Sequence, residues 1–169
     1  QDQMKNKRIP SESLYMLGLG YLLHANGPSF NFMYRNEIDE WAVGYGGKIG
    51  GGKSQPDFFF LFEIEALYYL SPYANHSVYA GVGAGLGAEF EKEKNIDYSG
   101  FGVEISGRLG YELLRSSTIR LFVQVDVHHP FYKLSHKDKT RHAFTRPSLV
   151  FGIGYTPRPS SRLFWFLPF

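Results

Sequence analysis

The chain of 169 residues contains no cysteine. That excludes a disulfide scaffold, thiolate-bound zinc and a thiol nucleophile. It also contains no run of about 18 apolar residues, so the sequence encodes no membrane-spanning helix. An excess of one charge is missing as well. The 18 Lys and Arg against 16 Asp and Glu leave a net +2, too little to attract nucleic acid in bulk. What the chain has instead is 15 Phe, 12 Tyr and 19 Gly. Disordered chains are poor in aromatics, so this one folds. Aromatics with glycines and no cysteine leave two candidates, soluble all-β proteins and membrane β-barrels.

Between turn signals the residues alternate with period two. Eight segments do so: residues 13–24, 29–37, 40–51, 58–70, 77–91, 100–114, 119–133 and 146–156. In the fifth, Val78, Ala80, Val82, Ala84, Leu86, Ala88 and Phe90 oppose Tyr79, four glycines and Glu89. Globular strands run to about five or six residues, whereas a tilted membrane strand needs about 9–11. These segments have the longer length.

One face of every segment is apolar and the other carries charges and glycines. In a soluble barrel the apolar face turns inward; in a membrane barrel the same alternation is inverted. Tyr15, Tyr21, Trp41, Tyr45, Tyr68, Phe90, Phe101 and Tyr111 stand towards segment ends on the apolar face, where a bilayer interface selects aromatics. The connections alternate too. Residues 36–39, 71–76 and 115–118 are short; on the other end lie 25–28 and 53–57 with the long, charged loops 92–99 and 134–145. Short periplasmic turns with longer outer loops belong to outer-membrane barrels.

On strand count, loop asymmetry, the Gly-rich stretch YAGVGAGLG at residues 79–87 and the aromatic Phe169, the sequence resembles the small eight-stranded outer-membrane β-barrels. That group contains the OmpA transmembrane domain, OmpX and PagL. The resemblance implies an all-β, up-and-down antiparallel transmembrane barrel over residues 13–156, in the bacterial outer membrane. A periplasmic segment, residues 1–12, would precede it. Residues 157–169 form a Pro-rich aromatic tail or a piece of the closing strand. The tail's Leu163, Phe164, Trp165, Phe166 and Phe169 are candidates for docking to a protein partner, since exposed apolar patches mark interaction sites. Outer-membrane lipid and lipopolysaccharide are the other expected partners, with Lys133, Lys137, Lys139, Arg141 and Arg146 as possible contacts for phosphates.

The polar face holds the chemistry. Glu63, Glu65, Glu104, Arg108, Glu112, Arg120 and Asp126 are expected to form an interior ionic network, with Glu89, Arg35 and Lys48 on the same face. Barrels of this size are filled by side chains. For catalysis the one cluster is Asp126, His128, His129 and Ser135, with His136 and His142 nearby. Lipid A acylhydrolase barrels of the PagL kind use Ser, His and an acid, but here Pro130 and a seven-residue gap separate His128 from Ser135. The histidines lack the spacing of a metal site. The glycines and lysines of residues 46–53 do not follow the phosphate-loop pattern, for no helix follows. No cofactor is implied. Three functions remain: a structural or interaction barrel serving as accessory subunit of an envelope assembly, an outer-membrane lipid A acylhydrolase, and a soluble ligand-binding barrel.

Overall fold

The computed structural model describes residues 11–157 apart from 55, 94, 95 and 138. The tail candidates Leu163, Phe164, Trp165, Phe166 and Phe169 lie outside the described residues. Within that range no helix forms; the chain is strands and turns. Eight long antiparallel strands close into a barrel. They are β1 (Ser11–Leu22), β2 (Gly27–Ile38), β3 (Trp41–Gly50), β4 (Phe58–Tyr69), β5 (His76–Glu93), β6 (Ile96–Leu113), β7 (Ile119–Pro130) and β10 (Arg146–Tyr155). Each is 10 to 18 residues long. Neighbours in sequence pair with each other, and β1 closes on β10 from Tyr15↔Tyr155 to Leu22↔Ser148. Closure removes the open edges of a sheet.

Which face points in follows from the exposures. Leu19, Trp41, Val82, Leu109 and Phe151 are all more than half exposed, whereas Arg35, Glu65, Glu104 and Arg120 are at most 1% exposed. The apolar face is therefore the outside and the charged face the inside, which removes the soluble-barrel reading. Aromatics ring both ends of the outer wall. Near the short turns a Tyr15–Tyr34–Tyr45 ladder stacks at 5.1 and 5.3 Å, with Trp41 against Tyr68 at 5.1 Å. At the other end stand Phe58 and Phe90, 6.2 Å apart.

Four turns hold a non-glycine residue in the left-handed region: Asn26, Asp39, Leu114 and Lys137, with φ of 50, 53, 59 and 48°. Asn and Asp tolerate that region through their short polar side chains, and Leu114 has no such aid. Inside, Gly110 gives the Tyr79 ring its place, since a Cβ there would touch the ring and its hydroxyl. Gly110→Val is accordingly expected to lower stability by about 1–3 kcal/mol through overpacking. Urea unfolding in detergent micelles measures this, and an unchanged midpoint would refute it.

The outer loops differ from expectation. Residues 92–93 and 96–99 are strand and not loop: β5 runs to Glu93 and β6 starts at Ile96, with Lys92↔Asp97 and Glu93↔Ile96 in register. Opposite charges face each other across the ladder, which stabilises pairing where a run of like charge would not. Residues 134–145 hold a further hairpin, β8 (Lys133–His136) and β9 (Lys139–His142), joined to β6 at Ser99↔Ser135. It forms because Tyr132, Leu134, Ala143 and Tyr98 bury a small core of their own. β7 ends at Pro130, not at Lys133, as a residue without an N–H ends a ladder readily. β1 begins at Ser11, two residues before the expected start.

Candidate functional site

The interior is a column of ion pairs in three tiers. At the short-turn end Arg120 bonds Glu37 at 2.9 Å and Glu112 at 2.8 Å, and also meets Glu12. Arg115 enters this tier from the β6–β7 turn. It donates to the carbonyls of Ser71 and Pro72 at 3.1 and 3.0 Å and lies 3.9 Å over the Tyr69 ring. It thus ties two turns across the mouth of the barrel.

In the middle tier Arg108 bonds Glu63 at 2.5 Å and pairs with Glu65, which also accepts from Arg35 at 2.9 Å. Asp126 sits 3.9 Å from Arg108 and 3.2 Å from Lys48. The Lys48 ammonium also donates to Ser148 at 2.6 Å and lies 3.3 Å from His128 Nε2. Tyr79 donates to Gln124 at 2.6 Å, and Gln124 donates to Asp126 at 2.9 Å. The space bounded by Met16, Asn31, Lys48, Glu63, Arg108 and Phe122 is about 20 Å³, room for about one water.

At the outer end Arg146 bonds Glu89 at 2.5 Å and pairs with Glu104, and the Tyr132 hydroxyl donates to Glu104 at 2.7 Å. Burial first, and the Glu104 charge next, push the Tyr132 phenol above its ordinary pKa, so it stays a donor. Gly102 makes room for Tyr132, as a Cβ there would meet its side chain at 2.9 Å. The loop after β7 is thereby fastened into the outer mouth. Above it Arg141 pairs with Glu91 and Glu93 and lies 4.4 Å over Tyr98.

Solved structures similar to this chain in fold include transmembrane barrels. The N-terminal β-barrel domain of Pseudomonas aeruginosa OprF superposes with a TM-score of 0.67 at 8% identity, covering 89% of this chain and 99% of that one. The chain has the fold of the small eight-stranded outer-membrane β-barrels. Neisserial surface protein A gives 0.63 at 10% identity over 87% of this chain and 96% of that one. A de novo designed transmembrane β-barrel gives 0.55 at 13% over 89% and 99%. No protein-family model and no curated protein matches the sequence. At such identities the likeness is one of fold.

In this barrel the seven expected network residues all point inward, and six of them are linked. Arg35 stands 2.9 Å from Glu65 and 3.8 Å from Glu112, while Arg108 lies 3.9 Å from Asp126; Glu104 alone lies apart. Glu104 joins Arg146; Arg120 joins Glu12, Glu37 and Glu112; Arg108 joins Glu63 and Glu65. Arg115, Arg146, Glu12 and Glu37 escaped the sequence reading as interior residues. Glu12 and Glu37 carried a signal, since each continues the inward parity of its strand, with Leu14 and Arg35 respectively. Arg115 carried none, because the turn at Leu114 is what swings it inside. Arg146, which the sequence groups with the phosphate-contacting cations, is 1% exposed and bonded to Glu89 and Glu104; Arg141 is likewise engaged by glutamates.

The catalytic candidates are not brought together. Asp126 and His128 are each 1% exposed inside the barrel, with His128 Nε2 3.9 Å from Asp126. Ser135 is exposed on β8, paired along the ladder with Ser99 and Thr140. Its hydroxyl faces outward while the imidazole faces the interior, so the nucleophile–base contact of an acylhydrolase is missing. Among the described residues no group of three His, Asp or Glu is placed to hold a metal ion.

Proposed function

We propose that the chain is a bacterial outer-membrane barrel that acts as a structural or interaction element, a subunit of an envelope assembly, and not as a channel or an enzyme. The observation that carries this reading is the filled interior. Arginines span the lumen in each tier, and both mouths are tied, by Arg115 at one and by Tyr132 and Arg146 at the other. A lumen cross-linked in this way leaves no water column for ions or solutes. The outward apolar wall and its aromatic rings support the location.

Full chain reconstituted in planar bilayers is expected to show no steady conductance. Large, reproducible openings in the wild type would overturn the reading in favour of transport. For the interaction role, deleting residues 160–169 is expected to leave a barrel with heat-modifiable gel mobility that no longer cross-links to its neighbour in intact cells. A deletion that abolishes assembly would assign those residues to the wall.

A further inference from the structure

The exposed face of the outer extension is ordered in rows by the register of β6, β8 and β9. Lowest is Phe131, 63% exposed, whose N–H bonds the Val103 carbonyl at 2.9 Å. Phe101, 62% exposed, stands one step further along β6 and continues the apolar belt of the wall. By the Ser99↔Ser135 register Lys133 stands in the row of Phe101, with His142 directly opposite it on β9. Then Ser99, Ser135 and Thr140 share a single row across the three strands, all three exposed.

The charges on this face are unbalanced. Glu89, Glu91 and Glu104 turn inward, where they take Arg146 and Arg141, and the exposed Glu93 is held by Arg141. Lys133 and His142 make no ion pair among the described residues. The exposed carboxylate beyond the hydroxyl row, Asp97, stands opposite Lys92. Apolar surface, a cation at its upper edge and then hydroxyls is the order in which an amphiphile presents acyl chain, phosphate and sugar to a wall beside it. A phosphate there gains charge-assisted hydrogen bonds from Lys133. A headgroup without a sugar would leave the three hydroxyls to water.

Resting on the membrane reading above, we propose that this face binds a phosphorylated glycolipid of the outer leaflet, with Lys133 and His142 on the phosphate and Ser99, Ser135 and Thr140 on the sugar.

The test uses the full chain in phosphatidylcholine nanodiscs doped with lipid A, dephosphorylated lipid A or phosphatidylglycerol, with retained lipid counted by native mass spectrometry. Wild type is expected to retain lipid A at least tenfold over the other two. Lys133→Ala with His142→Ala is expected to lose that retention, while Lys53→Ala, on the β3–β4 connection, keeps it. Ser135→Ala with Thr140→Ala is expected to reduce the preference for lipid A over phosphatidylglycerol. Unchanged lipid A retention in the Lys133/His142 variant, or equal retention of the dephosphorylated form, overturns the site. Equal retention of phosphatidylglycerol by wild type overturns the glycolipid assignment. A chain that enters no nanodisc overturns the membrane reading with it, whereas a folded, inserted barrel bare of lipid A overturns the site alone.

Discussion

Arg108→Met is expected to destabilise the barrel by about 3–5 kcal/mol, the usual cost of removing one partner of a buried ion pair. Arg108 is 6% exposed and its two carboxylate partners, Glu63 and Glu65, are 4% and 1% exposed. Without the guanidinium both carboxylates remain in a lumen whose small cavity beside Glu63 has room for only about one water. Ser106 still donates to Glu63 at 2.7 Å and Arg35 to Glu65 at 2.9 Å, but neither contact replaces the lost charge beside Glu63. Neutralising the pair should reverse much of the loss. Arg108→Met combined with Glu63→Gln and Glu65→Gln is expected to unfold closer to wild type than the single variant. Urea titration followed by circular dichroism decides this. A single variant as stable as wild type would mean that the middle tier is hydrated, and would reopen the question of a conducting path.

A cation on the outer wall should have an effect of similar size by a different mechanism. Val82 is 66% exposed on β5, beside Ala66 of β4 and Gly107 of β6. If that surface faces hydrocarbon, Val82→Arg costs about 2–4 kcal/mol at the midplane and the chain fails to fold into lipid vesicles. Val82→Leu, which keeps the surface apolar, is expected to fold normally. Gel mobility with and without heating reports both outcomes. An arginine variant that folds into vesicles as readily as wild type would sink the claim that this wall meets lipid.

How much was legible beforehand can be judged from particular residues. Period-two alternation put Glu63, Glu65, Glu104, Arg108, Glu112, Arg120 and Asp126 on one face, and the structure puts that face inside. The long segments likewise became the wall strands, and short connections fall at 70–75 and 114–118, while the turn expected at 36–39 narrows to 39–40 because β2 runs on to Ile38. Charge content misled at 92–99, because a strand with opposite charges in register has the same composition as a solvated loop. Ser135 and His128, seven residues apart, looked like a loose catalytic pair. An odd separation puts them on opposite faces, and that alternation carries through the break after Pro130, so Ser135 is exposed and His128 buried.

The sequence by itself determined the strand class, the number of wall strands and the side of each strand a residue occupies, because side-chain direction along a strand depends only on parity. Which charge meets which was decided by the tertiary structure. Closure of β1 on β10 and the stagger of the strands set the height of each residue in the lumen. That height brings Arg120 to Glu12, 108 positions away, and gives Glu104 to Arg146 instead of Arg108. The outcome of the outer loops belongs to the same level. Tyr98, Tyr132 and Leu134 have no partner until β6 stands beside β8, and only that contact turns a charged loop into a patterned face.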